Sequence, residues 1–370
     1  MKAKTNFWIF VLLVGAIHAN ATIRTVSNDL NKPAQYPDIP QAIAAASAGD
    51  TIYVNGTQYT YSDINITKKL VLIGAGFSVA NQFNLITAVN NINFFKDAGV
   101  NDGSGTVISG FKVTNVGLTS GSLSINNIKM FRNQIGQINL QMINWAIYNN
   151  VMTGQFPGGS INGNNNSSNV VIQNNLFYTS TQNCVNNFNQ PSVVIDHNLF
   201  INLNGNSNGA IGAISSIQFA IITNNIFTSS SGTIVMGNIT QCTFNNNISV
   251  SSNISSATPT SSFLANNNTG GNNQVGVNPL FTNVTDLNNY NATFNYRLQT
   301  GSTGHNAGTD GTDIGIYGGS YPFPSGGAIG GGYDTSPLPP IPQINSVNIQ
   351  NASVLPGTQL QVNVSATVNN

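Results

Sequence analysis

Lys112 and Arg132 are the pair in this chain whose types and positions could carry out a reaction, since they fall near corresponding bends of successive repeats. One cationic side chain acting as base and a second neutralising a neighbouring carboxylate is what proton abstraction from a uronic acid needs. Lys96, Asp97, Asp102 and Lys129 fall in the same early stretch, and solvated charges that keep an edge soluble are the plainer reading of the whole group. Glycoside hydrolysis asks instead for two carboxylates close together. From Asn133 through Tyr296 there is no lysine or arginine, and the acids are Asp196 and Asp286 alone, so the middle of the chain lacks the parts for either reaction. His305, Asp310 and Asp313 lie in a glycine-rich stretch whose oxygens suit a calcium ion. Aspartates that simply form turns are the plainer reading, and no other metal or cofactor is implied.

The elements that position these residues come from a repeated phrase. VVIQNNLF (Val170 to Phe177), VVIDHNLF (Val193 to Phe200) and AIITNNIF (Ala220 to Phe227) share apolar residues at alternate positions, a polar bend and a second apolar pair. Taking the second bend residue as marker gives Gly110, Asn133, Asn150, Asn175, Asn198, Asn225, Asn247 and Asn268. A period in the low twenties with strand-like units predicts a solenoid whose repeats bury their apolar edges against one another. Three residues before the markers stand Val107, Met130, Ile147, Ile172, Ile195, Ile222, Phe244 and Ala265; five before stand Gly105, Ile128, Trp145, Val170, Val193, Ala220, Cys242 and Phe263. Columns two residues apart share one face of a strand, here the interior. Phe177, Phe200 and Phe227 should stack as an aromatic column. Asparagine tolerates the left-handed bend and its amides can bond from coil to coil, so His197 and Arg132 read as members of that polar column. The 17-residue step from Asn133 to Asn150 implies either a tight coil or a slip in register.

Composition agrees: of 370 residues 61 are asparagine and 37 glycine, none is glutamate, and only 6% are charged. The formal net charge is zero, which leaves no field to attract nucleic acid. Apolar residues at fixed positions, 40% of the chain, argue against disorder. Cys184 and Cys242 belong to different sides of different coils, further apart than a disulfide reaches, and are expected to stay unbridged.

With these residues in view, the chain resembles the right-handed parallel β-helix proteins of the pectate-lyase-like superfamily. The segment from Tyr36 to Tyr59 resembles that group's N-terminal cap, a short helix over the end of the solenoid; Asp38 is its predicted cap and Gly49-Asp50 its stop. LVLIGAGF resembles an early coil, and Asn278 to Gly319 the closing segment of secreted members. The fold implied is all-β, a right-handed parallel β-helix (solenoid) with an N-terminal helical cap and a small C-terminal β-hairpin. The superfamily contains lyases, hydrolases, esterases and non-catalytic surface proteins, so the resemblance speaks to fold rather than activity.

Lys2, Lys4, the apolar run Phe7 to Ile17 and Ala19-Asn20-Ala21 predict a signal peptide over residues 1–21. Cleavage near Ala21 leads to a secreted, cell-surface or periplasmic protein without a transmembrane segment. The solenoid with its caps is expected over 22–320, a Gly/Pro-rich linker over 321–342 and a hairpin over 343–370 that docks on the solenoid or on another chain. Outward-pointing Tyr148, Gln173, Asp196 and Thr223 form the candidate binding row, and the apolar row Val171, Val194 and Ile221 is expected to lie beneath a wrapped segment. The function expected is a monomeric, non-catalytic scaffold that contacts polysaccharide or other cell-surface material. The alternative is a polysaccharide lyase working through Lys112 and Arg132.

Overall fold

The computed structural model describes residues 21–77, 85–119, 123–154, 160–178, 183–201, 213–228, 233–251, 253–255, 263–287, 291, 294–323, 342–350, 357 and 359–368. Residues 1–20, and with them most of the predicted signal peptide, lie outside this set, as do residues 324–341 of the linker expected over 321–342. The described chain winds into a parallel β-solenoid. Its first face is a twelve-stranded parallel sheet running from Ile23–Val26 to Thr269–Gly271. The second and third faces share a fifteen-stranded sheet that forks at the strand Gln134–Asn139. Gln134 and Ile135 pair with Val151 and Met152, whereas Ile138 and Asn139 pair with Ile161 and Asn162. That fork explains the 17-residue coil. Its second and third faces are one continuous strand, where later coils make two strands with a connection between them, so the register from Asn133 to Asn150 holds.

The interior columns follow from strand alternation. Met130, Ile147, Ile172, Ile195, Ile222 and Phe244 are fully buried in successive register, with Ile128, Trp145, Val170, Val193, Ala220 and Cys242 beside them. Trp145 satisfies its indole N–H on the Ile125 carbonyl at 2.8 Å. Two marker positions shift. Ile108, not Val107, pairs with Met130 and is buried, so Phe111 replaces Gly110 as first marker and Thr106, not Gly105, lines the interior. Val107 and Ile108 are both apolar, which left the phase open. At the far end Phe244 pairs with Gly270, so Asn273 replaces Asn268 and Ala265 leaves the column. Asn268 stands instead beside Cys242, accepting its backbone N–H at 2.9 Å.

The marker asparagines form a continuous buried ladder. Asn150, Asn175, Asn198 and Asn225 each donate a backbone N–H to the Oδ1 of the next marker at 2.9–3.0 Å. The side-chain amides of Asn175, Asn198, Asn225 and Asn247 each donate 2.8 Å bonds to the Ile147, Ile172, Ile195 and Ile222 carbonyls of the preceding coil. The residue before each marker is left-handed: Arg132, Asn149, Asn174, His197, Asn224 and Asn246 all have φ between 51° and 57°. The conformation costs an L-residue about 1–2 kcal/mol, least for asparagine, whose amide can bond locally. The marker amides, buried and bonded from coil to coil, offset that cost.

Phe177, Phe200 and Phe227 stack with centroids 4.7 Å apart. Phe200→Ala is therefore expected to lower the unfolding free energy by about 3–5 kcal/mol, read by urea denaturation. Cys184 and Cys242 are buried and unbridged, and burial pushes the Cys242 thiol up to about 11.

The predicted cap helix spans Ile39–Ala45. Asp38 accepts the Ile39 N–H at 2.8 Å, Pro40 sits in the first turn, and Ile39, Ala42 and Ile43 cover the end of the core. Lys68 donates its ammonium to the Ile43 and Ala46 carbonyls, satisfying the helix end. The C-terminal hairpin pairs Pro342–Ile349 with Val362–Val368. Val347 and Val364 in it are 56% and 57% exposed, so the solenoid does not cover these two side chains.

Candidate functional site: a latched corner and an open cleft

The second apolar pair of each repeat has consequences the bends do not. In a strand Leu176 and Phe177 must point to opposite faces, and so must Leu199 with Phe200 and Ile226 with Phe227. The phenylalanines enter the interior. Val151, Leu176, Leu199, Ile226 and Ile248 point outward, yet all are buried. Phe281, Tyr296, Ile314, Ile316 and Phe323 cover them in a second apolar cluster. The chain thus doubles back along its own second face. The cover extends to Phe323, beyond the Gly319 boundary expected from sequence.

This closing segment is pinned to the left-handed column one coil at a time. Asn246 donates to the Ala307 carbonyl at 2.7 Å, Asn224 to Thr309 Oγ1 at 2.8 Å, Asn174 to the Ile316 and Gly318 carbonyls, and Asn149 to the Tyr321 carbonyl at 2.7 Å. His197 holds the rung between them. Its Nε2 lies 3.3 Å from Thr312 Oγ1 and 3.7 Å from Asp310 Oδ1, and its Nδ1 lies 2.8 Å from Asp196 Oδ2 without hydrogen-bond alignment. Burial works against the Asp310 charge, but the Thr312 hydroxyl and N–H and nearby His197 hold its carboxyl below the ordinary value. Gly319 passes directly over this corner with φ of 75°, and a Cβ there would come within 2.9 Å of His197 Nδ1.

The four residues expected to form a binding row do share one register row on the first face. Three of them meet in one network: Asp196 accepts Gln173 Nε2 at 2.9 Å, Thr223 Oγ1 at 2.8 Å and Asn224 Nδ2 at 2.8 Å. Gln173 and Thr223 are each only 8% exposed. Tyr148 is sandwiched between Phe131 at 5.0 Å and Tyr321 at 4.5 Å. Burial and then Tyr321 raise its phenol above the usual range. Tyr148 thus stacks on the closing segment, while Asp196 ties Gln173 and Thr223 to Asn224, which bonds Thr309 of that segment. In contrast, Ile221 of the row Val171, Val194 and Ile221 stays 47% exposed. The expected cover lies over a neighbouring row because the apolar residues of the closing segment find a wholly apolar strip on the second face.

The three candidate calcium residues separate, His305 with Asp313 and Asp310 apart from both. His305 Nδ1 lies 2.8 Å from Asp313 Oδ1, which also accepts the Asn306 N–H, while Asp310 accepts the Thr312 N–H and hydroxyl beneath His197. Lys112 and Arg132 take different neighbours. Arg132 lies close enough to Tyr148 to act on its phenol, whereas Lys112 lines a cleft on the second face.

That cleft is the open counterpart of the latched corner. It has a volume of about 750 Å³, a floor of Ala88, Asn90, Lys112 and Thr114, and a wall formed by Thr57 to Thr60. It lies where the outward row changes from apolar Val151 and Leu176 to Ala88, Lys112 and Gln134. The wall is rigidly built. Thr57 Oγ1 donates to Asn28 Oδ1 and the Tyr59 carbonyl, and the Thr57 N–H bonds to the Ile86 carbonyl. Its ring, in Tyr59, is left 59% exposed. The polar-to-apolar change in this row was readable in the sequence, whereas the apposition of the Tyr59 loop was not. No helix among the described residues is long and apolar enough to cross a membrane. Compared with protein-family models and with curated proteins, the chain matches none.

Proposed function

We propose that this is an exported, non-catalytic β-solenoid of the pectate-lyase-like kind that contacts glycans or similar cell-surface material through the cleft beside Tyr59. The observation that carries the reading is this preformed cleft, uncovered among the described residues, which offers an aromatic face, amides, hydroxyls and one ammonium group. Sugars are held by this combination of stacking and hydrogen bonding, and a rigid wall lowers the ordering cost on binding. The expected path to the exterior is the signal peptide ending near Ala21. The lyase alternative draws on Lys112 in the same cleft, but the lining includes no second cation to neutralise a carboxylate.

A glycan array probed with the processed protein tests the reading. Binding is expected to change little with moderate salt, because 11 cations against 11 acids leave no net field to screen. Incubation with pectate, alginate and chondroitin should give no unsaturated product by ultraviolet absorbance. A blank array would remove the reading, and product lost in Lys112→Ala would replace it with the lyase.

A further inference from the structure

The N-terminal end of the solenoid is organised around one buried carboxylate. Asp50 is 1% exposed, and its donors come from three residues, two in the N-terminal segment and one just past the cap helix. Oδ1 accepts the Thr22 N–H at 2.9 Å; Oδ2 accepts the Ser47 N–H at 2.9 Å and Arg24 Nε at 3.1 Å, with Arg24 Nη2 also at 3.1 Å. The Thr22 N–H, ahead of the opposing effect of burial, leads the contacts that hold this carboxyl below its ordinary value. Thr22 is itself fixed, because its carbonyl accepts the Thr51 N–H at 3.0 Å and Ile23 pairs with Thr51. Ala21 and Thr22 are exposed, so the peptide bond between them is accessible and lies immediately outside the ordered sheet.

We propose that Asp50 is the docking site for the chain's own α-ammonium, created when the leader is removed between Ala21 and Thr22. Hydrolysis by a signal peptidase gives the hydroxyl of water to the Ala21 carboxyl and its hydrogen to the Thr22 nitrogen, which takes one more proton from solvent. The neutral N–H on Asp50 Oδ1 then becomes a charged donor, and charge-assisted hydrogen bonds are roughly twice as strong as neutral ones. The ammonium stays partly hydrated because Thr22 is exposed, which keeps its desolvation cost low. Arg24, whose Nη1 donates to Tyr36 Oη, takes the other carboxylate oxygen. Lys32, Lys68, on the helix-end carbonyls, and Lys69 are further cations in this part of the chain and work against the ammonium; direct contact with Asp50 outweighs them.

The amine's pKa in the folded chain is therefore raised above the ordinary range of about 7.7–8.0. A raised pKa contributes stability that is complete below the unfolded value and lost as pH rises through the folded one. The test compares the chain beginning at Thr22 with its N-acetylated form and with a chain that retains Ala21. At about pH 7 the free Thr22 amine should raise the folding equilibrium constant roughly tenfold over both, and the advantage should vanish above the amine's pKa followed by NMR. Asp50→Asn should abolish the difference; if that variant fails to fold, the acetylated chain still decides the matter. Equal folding constants at about pH 7, an ordinary amine pKa, or a processed chain beginning elsewhere than Thr22 by mass would each overturn the proposal.

Discussion

Asn198→Leu is expected to lower the unfolding free energy by about 4 kcal/mol or more, measured by urea denaturation. Asn198 Oδ1 accepts both the backbone and the side-chain N–H of Asn175, and its own amide serves the Ile172 carbonyl and Asn225 Oδ1. All of these groups are buried. Each buried polar group left without a partner costs about 1–3 kcal/mol, and a leucine of similar size satisfies none of them. Asn198→Asp should do no better, because it keeps the acceptor but removes the donor and adds an unpaired buried charge. Asn144 is the control. It is exposed at φ of 57° with one amide contact, to Asn169, so Asn144→Ala should cost about 1 kcal/mol or less. Equal costs at Asn198 and Asn144 would mean that the ladder contributes nothing beyond a turn preference.

Ile316→Asp should have the second large effect, and of a different kind. Ile316 is 2% exposed in the cluster with Leu176, Leu199, Ile226 and Ile248. A carboxylate cannot be buried there unpaired, so the closing segment should lift from the second face. The interior of the solenoid keeps its own columns, so far-ultraviolet circular dichroism should change little. Exposure of the apolar strip should instead give strong dye binding and concentration-dependent aggregation. Leu30→Asp, at a side chain 91% exposed, should be silent in the same assays. Global unfolding of Ile316→Asp would show that the cover and the solenoid form a single cooperative unit.

The solenoid was legible because its signal repeats. Ile172, Ile195 and Ile222 stand in one phase with Asn175, Asn198 and Asn225, and a fold that stacks identical coils turns that phase directly into contacts. The errors fell where the repeat is weakest. Val107-Ile108 offers two apolar residues in either phase, and the stretch from Phe263 to Asn273 contains asparagines in both candidate registers. The latch was half legible. Leu176-Phe177 and its equivalents announce a strand buried on both faces, yet nothing local says that Ile314, Ile316 and Phe323 supply the cover. For the same reason Gln173, Asp196 and Thr223 read as an open polar row, whereas they bond to one another and meet the returning segment through Asn224. His197 was expected in the polar column and occupies it, but its partners Asp310 and Thr312 lie more than a hundred residues away in sequence. The cleft depends on the Tyr59 loop folding over Ala88, a long-range apposition that no periodicity encodes.

Isothermal titration of a glycan identified on the array, against four single variants, tests the central claim that the open cleft and not the latched row meets the ligand. Tyr59→Ala and Lys112→Ala should each weaken binding about tenfold or more, with the fold unchanged by circular dichroism. Gln173→Ala and Thr223→Ala should lower thermal stability while leaving the affinity of the folded protein within about twofold. The reverse pattern, with affinity lost in Gln173→Ala and Thr223→Ala and retained in both cleft variants, would contradict the account.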